Sequence, residues 1–225
     1  MICRNVHGFA AVRSVGLAAL SATLRKSGIS LLLAVLWLCA PASLPTQTFT
    51  KLTSFNFTDG DYPVEVPVQA TNGNLYGTTT YGGANGDGTI FKITPGGTLT
   101  TVYNFDYPGG EESLGGLVQA TNGTFYGTTT GGGANNDGTI FSLNLGLGPF
   151  VKTLPTSGAV GAAVTILGTD LTGATGVTFD GTAAVFKVVS SSEITTSVPT
   201  DATTGEVQVV IPRGTLSSNV SFRVP

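Results

Sequence analysis

Four oxygen-bearing side chains recur in the sequence at a spacing suited to calcium. Asn85 and Asp87 lie two positions apart, directly before Gly88, and Asn135 and Asp137 repeat the pattern fifty residues later. Carboxylate and amide oxygens at alternate positions of a glycine-containing loop are typical calcium ligands. An EF-type loop also needs a third oxygen earlier and a bidentate Glu near its end, and neither is present. These four residues therefore form a partial match to a calcium site.

Several carboxylates raise the alternative of glycoside hydrolysis. That reaction needs a protonated acid and an ionised partner at a defined separation within one pocket. Most acids in the central part of the chain stand beside glycine in predicted turns, where Asp is favoured for turn geometry. The sequence favours a structural role for them, and we assign no catalytic residue. The acids considered are Asp61, Asp87, Asp106, Glu111, Glu112 and Asp137.

The glycine-rich segment GGANGDG, residues 82–88, has the composition of a phosphate-binding loop. Such a loop needs a following helix whose amides face the anion, and usually a lysine. The residues that follow are Thr-Ile-Phe, which favour a strand, and the next lysine is Lys92. The segment therefore predicts a glycine-rich turn, and we expect no cofactor other than the candidate calcium.

The residues that most catalytic sites use are confined to the N-terminal segment. All Cys and His residues of the chain, Cys3, His7 and Cys39, lie within residues 1–42. This segment has the layout of a secretory signal peptide: basic residues, then the apolar run ISLLLAVLWLCA, then a small-x-small cleavage site, Ala-Pro-Ala. The alternative is an uncleaved N-terminal membrane anchor. Cleavage would leave no Ser-His-Asp or Cys-His catalysis and no His or Cys metal ligand.

The chain that follows the signal is acidic. From residue 43 onward, six basic residues stand against thirteen acidic ones, a net charge of about −7. A surface of that sign repels the phosphate backbone of nucleic acids. We therefore expect no nucleic-acid partner, and a membrane contact only through the N-terminal signal if it is not cleaved.

The candidate residues lie within a repeat of fifty residues. The sequence VQATNG at 68–73 returns at 118–123, and only four of the twenty-four pairs from there to residues 91 and 141 differ. Thr, Val and aromatic residues separated by glycine turns predict short strands. Asn72-Gly73 and Asp87-Gly88 predict hairpin turns of the primed type. We expect four strands in the first unit, at residues 49–57, 64–70, 75–80 and 89–94, and four counterparts fifty residues on.

Four strands in fifty residues is the size of one β-propeller blade. Two units are fewer than the four to eight blades of a closed propeller. The units therefore form an incomplete arc or small sandwich, or several chains assemble, or the chain is a shortened member of a longer family. We place repeat unit 1 at residues 43–97, repeat unit 2 at 98–147 and a linker at 148–153.

Residues 154–225 predict an immunoglobulin-like sandwich. Alternating apolar residues mark strands near 163–167, 176–179, 184–189, 194–198, 206–211 and 220–224. No disulfide is available to staple the two sheets, so the core must be apolar. Its predicted members are Val164, Ile166, Val177, Phe179, Phe186, Val188, Ile194, Val207, Val209, Ile211 and Phe222.

Two family resemblances follow from these residues. The C-terminal segment resembles the IPT/TIG family of immunoglobulin-like domains through Gly158, Gly161, Val164, Ile166, Gly168, Val177, Phe179, Gly181, Ile194, Val198-Pro199 and Gly205. The two units resemble the GloVer repeat, found in tandem in secreted bacterial proteins, through Leu117-Val118, Asn122-Gly123, Phe125-Tyr126-Gly127-Thr128-Thr129, Gly132-Gly133 and Gly138-Thr139-Ile140-Phe141. The first unit departs from that pattern with Glu65-Val66-Pro67 where the second has Gly115-Gly116-Leu117. The resemblances imply an extracellular module, with the TIG domain as a spacer or interaction domain, and bring no catalytic motif.

The sequence therefore predicts an all-β protein: two four-stranded, blade-like repeats of an incomplete propeller type, then an immunoglobulin-like β-sandwich. We expect it to be secreted or displayed on the cell surface, to be no enzyme, and to bind other extracellular proteins or surface polysaccharide. A carbohydrate-binding accessory module is the alternative, and a fragment of a propeller-type hydrolase is a third. Aromatic rings carry the carbohydrate alternative, although we expect most of them to pack in the core: Tyr76, Tyr81, Tyr103, Tyr107 and Tyr126.

The calcium hypothesis predicts a rise in melting temperature when millimolar calcium is added, because a ligand that binds the folded state alone stabilises it. Thermal unfolding with and without calcium measures this, with the Asp87→Asn and Asp137→Asn variants as controls that should lose the rise. A melting temperature that does not respond to calcium contradicts the hypothesis.

Overall fold

The regular structure of this protein consists of strands. The computed structural model describes residues 47–225, and the predicted signal peptide, residues 1–42, lies outside them. The described residues form fifteen strands and no helix, which confirms the all-β prediction. No helix in this part of the chain is long and apolar enough to cross a membrane. Residues Thr50–Pro225 pack as one unit.

The first sheet is built from both predicted repeat units. Its order is β1 (Val68–Gln69), β2 (Leu75–Thr79), β3 (Thr89–Ile93) and β4 (Leu99–Asn104), with every pair antiparallel. β4 is the opening segment of the second unit, and a short turn over residues 94–98 brings it beside β3. The first sheet therefore takes its fourth strand from the unit that follows.

The predicted strand at 49–57 is wrong. Residues 47–56 form no strand, and a turn begins at Phe57. The reason is the order of the chain. Strands that follow one another closely pair with each other, so β4 occupies the edge of β3. The segment 49–57 has no earlier sheet among the described residues to join.

The second sheet has three strands where four were predicted. It consists of β5 (Val118–Gln119), β6 (Phe125–Thr128) and β7 (Ile140–Leu143), in that order. The counterpart of β4 would fall at residues 149–154. That segment instead contains β8 (Lys152–Leu154), which pairs with the next domain.

The C-terminal domain is a sandwich of two four-stranded sheets, as predicted. One sheet has the order β12 (Phe186–Ser190), β13 (Glu193–Ser197), β9 (Ala163–Leu167) and β8. The other has the order β11 (Thr182–Ala183), β10 (Gly176–Phe179), β14 (Val207–Ile211) and β15 (Gly214–Ser217). The predicted linker at 148–153 therefore ends inside the sandwich, where Val151 is fully buried in the core because β8 lies along β9.

The sandwich core is close to the predicted one. Most predicted members are buried, while Phe186 and Val188 are partly buried against the core. The predicted strand at 220–224 is wrong, since Phe222 and Arg223 make isolated bridges and β15 takes the edge beside β14. Phe222 still fills the core and meets Phe179 edge to face at 5.1 Å. Buried residues that the pattern missed are Val151, Leu171, Val198, Ala202 and Leu216.

The turns of the repeats are longer than predicted. Gly73 has φ 79°, but Asn72 is not among the residues with positive φ, as a primed turn with Asn72 at its first central position requires. Asp87 and Gly88 lie at the end of a loop over residues 80–88, between β2 and β3. The prediction of primed two-residue hairpins at these sites is wrong.

Lack of space explains why one glycine of this loop is present in both units. A Cβ at Gly88 would lie 2.3 Å from the Thr79 carbonyl oxygen, and at Gly138 it would lie 2.3 Å from that of Thr129. Gly86, by contrast, is replaced by Asn136, and both adopt left-handed backbone, with φ 88° and 58°. Asn tolerates that conformation better than most residues, which explains why this difference between the units is accepted.

A threonine pair fixes this loop in both units. In the first, Thr79 Oγ1 accepts the Thr89 N–H at 3.0 Å and lies 3.0 Å from the Tyr81 carbonyl oxygen. In the second, Thr129 Oγ1 accepts the Thr139 N–H at 2.9 Å. The two pairs use the same atoms at nearly the same distances, so the repeat is one structural device used twice.

The threonine pair predicts unequal effects of one substitution in the two units. Thr79 and Thr89 are fully buried, so Thr79→Val leaves the Thr89 N–H without a partner and lowers the free energy of unfolding by about 1–3 kcal/mol. Thr129→Val is the matched control and costs less, because Thr139 is partly exposed and water can replace the lost oxygen. Denaturant unfolding measures both variants, and an equal loss in the two contradicts this account.

Candidate functional site

The first pair of calcium candidates connects the two repeat units. Asn85 Nδ2 donates to the Phe105 carbonyl oxygen at 2.7 Å. The backbone carbonyl of Asp87 accepts the Glu112 N–H at 3.2 Å. Both partners belong to the second unit. The turn at 85–87 is therefore a contact between units, whatever else its oxygens bind.

The second pair of candidates faces solvent. Asn135 and Asp137 are both exposed. No three His, Cys, Asp or Glu side chains come together in a way that suits a metal ion within residues 47–225. The calcium site stays a prediction, to be decided by the titration given above.

Two of the carboxylates considered for hydrolysis cap turns. Asp61 Oδ1 accepts the Tyr62 N–H at 3.0 Å, and Asp106 Oδ1 accepts the Gly109 N–H at 3.0 Å. Hydrogen bonds of this kind are the local role that Asp plays beside glycine in turns. These two contacts agree with the structural role that the sequence favours for the acids.

The expectation that most of the tyrosines pack in the core is wrong. Tyr76 is buried, but Tyr81, Tyr103, Tyr107 and Tyr126 are each at least one-third exposed. Tyr81 makes an isolated bridge with Asp61, Tyr107 lies in a turn, and Tyr103 lies on β4, the edge strand of the first sheet. Tyr126 is the counterpart of Tyr76, and its exposure comes from the position of the second sheet at the end of the repeat array.

One face of the first sheet packs against the opposite face of the second. We name the face that bears Val68, Tyr76 and Ile90 the forward face. The Tyr76 ring lies 4.8 Å from the Phe125 ring of the second sheet. Ile90 is 1% exposed in the same cluster. The forward face of the first sheet is thus closed by the second.

The forward face of the second sheet bears Val118, Tyr126 and Ile140. These residues occupy the positions that Val68, Tyr76 and Ile90 hold in the first sheet. Ile140 is 83% exposed and Val118 is 54% exposed. The same residue types at equivalent positions are therefore buried or partly buried in the first unit and exposed in the second.

The repeats and the sandwich meet at the turn between β5 and β6. Thr121 O accepts the Phe150 N–H at 2.9 Å, and the Thr121 and Thr169 hydroxyls lie 2.8 Å apart. Lys152 Nζ donates to the Gln119 carbonyl oxygen at 2.8 Å. These bonds tie β5 and the turn after it to β8, to the residues just before β8 and to the loop after β9.

A cleft of about 400 Å³ opens beside this junction. Asp170 and Arg213 form an ion pair across it at 3.1 Å, with most of both side chains exposed. Exposed ion pairs contribute little to stability. The lining residues of the cleft are Asn122, Pro149, Thr169, Asp170, Ile211, Arg213, Gly214, Thr215 and Leu216.

Sequence reasoning missed the contacts that join the units. Lys152 lay in the predicted linker, and Asn85 was considered as a metal ligand. A signal for Asn85 was present, because Asn85 and Asn135 are identical while their neighbours Gly86 and Asn136 differ. The partner of Asn85 is a backbone carbonyl, which no side-chain pattern encodes.

Comparison with known families agrees with this architecture. The model described as the Gloeobacter/Verrucomicrobia repeat matches residues 41–185, and the IPT/TIG domain model matches residues 149–224. The two ranges overlap, so the TIG domain does not strictly follow the repeat region as the sequence predicted. The overlap begins where a third unit would open, and β8 there enters the sandwich. No curated protein matches the chain. Because the repeat model covers more than half of the sequence, the chain belongs to the Gloeobacter/Verrucomicrobia repeat family.

Proposed function

We propose that this protein is a non-enzymatic extracellular module, secreted or displayed on the cell surface, in which the repeats and the TIG domain act as one rigid spacer. The repeat and the TIG domain indicate a structural or interaction module. The spacer role is supported by the junction, where three hydrogen-bonded contacts join β5 and the turn that follows it to the sandwich. Its partners are other extracellular proteins or surface polysaccharide.

The polar groups of the repeats support a structural role. Thr78, Thr79, Thr89 and Ser113 are buried, and each hydroxyl bonds within the fold. No buried side-chain polar atom of the described residues lacks a hydrogen-bond partner. A site built to bind or transform a small substrate usually holds polar groups free for it. These hydroxyls are instead used to hold loops.

The rigid junction predicts a local effect of one substitution. Lys152 bonds to Gln119 O and its ammonium lies 5.5 Å from the Phe150 ring centre, so Lys152→Ala removes a charge-assisted bond and a cation–π contact. We expect faster amide hydrogen exchange at Phe150, whose N–H bonds to Thr121 across the junction.

Lys187→Ala is the matched control, because Lys187 is an exposed lysine of the sandwich away from this turn. Exchange at Phe150 that is unchanged in Lys152→Ala would contradict the rigid junction. Exchange that rises equally in the two variants would point to general destabilisation and would contradict it as well.

One observation favours the carbohydrate-binding alternative. Tyr62 and Tyr81 meet edge to face at 5.8 Å, and they are 62% and 40% exposed. Exposed aromatic rings offer apolar faces on which sugar rings can stack. Glycan-array binding that is lost in Tyr62→Ala but kept in Tyr107→Ala would favour this second function over the spacer.

Export of the protein is tested with a reporter fusion. A fusion of residues 1–46 to a phosphatase that is active only after export should give activity, and a fusion that lacks residues 29–40 should not. Equal activity of the two fusions contradicts secretion.

Hydrolysis of polysaccharide by the purified chain, lost in Asp87→Asn or Asp137→Asn, would contradict the non-enzymatic function and would support the propeller-type hydrolase instead.

A further inference from the structure

The second sheet ends in an unpaired edge. β3, in the first sheet, pairs with β2 on one side and β4 on the other. β7 is its counterpart and pairs with β6 alone among the described residues. The outer N–H and C=O groups of such an edge strand are open to a further strand.

The forward face beside this edge is also uncovered. Val118, Tyr126 and Ile140 are exposed, whereas Tyr76 and Ile90 of the first sheet are buried against the next unit. An apolar valine, tyrosine and isoleucine on one face are typical of a surface that packs against a partner. The exposed edge and face continue the interface between the two sheets by one repeat.

The opening segment of the first repeat unit is the counterpart of the strand that β7 lacks. Residues 49–54 align with β4. Residues 50–54 belong to no strand and are mostly exposed to solvent. Phe55, which follows this segment, already packs in its own unit, because its ring meets the Phe91 ring edge to face at 4.9 Å. The equivalent rings in the second unit, Phe105 and Phe141, meet in the same edge-to-face way at 5.2 Å.

The register of β3 and β4 transfers to β7 without a clash of charge. In the first sheet Thr100 pairs with Lys92, and Thr101 pairs with Phe91. The transferred register places Thr50 opposite Ser142, and Lys51 opposite Phe141. Lys51 would therefore face an aromatic residue and Thr50 would face a serine, so no two like charges lie opposite each other. Like charges on neighbouring strands would destabilise the pair.

A side-chain hydrogen bond between the units could also form in the same way at the second sheet. Asn85 donates to the Phe105 carbonyl oxygen, which follows β4. Asn135 is its identical counterpart and is exposed. With residues 49–54 beside β7, Asn135 would donate to the Phe55 carbonyl oxygen in the same way.

We propose that a second copy of this chain completes the second sheet: residues 49–54 of one copy form the fourth strand beside β7 of its neighbour. The first sheet of that copy then covers the exposed forward face. The contact joins two different surfaces, so it is heterologous and produces a ring if it closes and a filament if it does not.

Cysteine cross-linking tests the register directly. One chain carries Thr50→Cys and a differently tagged chain carries Ser142→Cys, both with Cys3→Ser and Cys39→Ser. Neighbouring antiparallel residues lie about 4.5–5.5 Å apart between Cα atoms, a separation that a disulfide spans. Oxidation of the mixture should give at least about tenfold more heterodimer than the control pair Thr50→Cys with Val185→Cys, whose second site is 91% exposed on the sandwich. A yield equal to the control overturns the proposal.

Sedimentation of the full chain tests the face. Ile140→Asp places a charge in the proposed interface and should weaken association at least about tenfold. Val185→Asp is the control and should leave association unchanged. A chain that stays monomeric at every concentration, or one whose association is unchanged by Ile140→Asp, overturns the proposal. Either result leaves the spacer function untouched, because export and the rigid junction are measured separately.

Discussion

The pairing of β3 with β4 is the contact on which the repeat architecture depends. β4 belongs by sequence to the second unit and by hydrogen bonding to the first sheet. A unit therefore cannot finish its own sheet, and each needs the opening segment of the unit that follows. Phe105, directly after β4, packs edge to face on Phe141 of its own unit, so this short segment contacts both units. The shared strand holds the two units together, and no separate interface domain is needed.

The exposed residues of the second sheet follow from the same constraint. The unit after it does not open with a pairing strand, because residues 152–154 join the sandwich. Ile140 and Ile90 hold the same position in two nearly identical units, and what separates their 83% and 1% exposure is the presence of a following unit. The repeats thus have an unpaired edge at β7 in the second sheet and, at the start of the first unit, the segment 49–54 that pairs with no sheet.

Local patterns predicted the sandwich better than the repeats. The bounds of β9 and β10 agree with the sequence, because alternation of apolar residues such as Val164 and Ile166 encodes which face is buried. The pairing of 49–57 was not predictable in this way. Its sequence, TFTKLTSFNF, resembles TLTTVYNFDY of the second unit. The segment of the second unit contains β4, whereas the segment of the first unit forms no strand. What decides between them is whether a sheet precedes the segment, which is a property of chain order.

At the calcium candidates, too, the sequence indicated which residues matter but not what they contact. The recurrence of Asn85 as Asn135 indicated a residue with a role, but an amide that donates to a carbonyl and one that ligates calcium have the same sequence signature.

The cross-strand contacts of β3 in solution test most directly the claim that the first sheet takes its fourth strand from the second unit. Nuclear Overhauser effects between backbone protons of Phe91 and Thr101 are predicted, since these residues are paired. Effects from Phe91 to residues 49–54 of the same unit, with none to Thr101, would show that each unit closes its own sheet and would contradict the account.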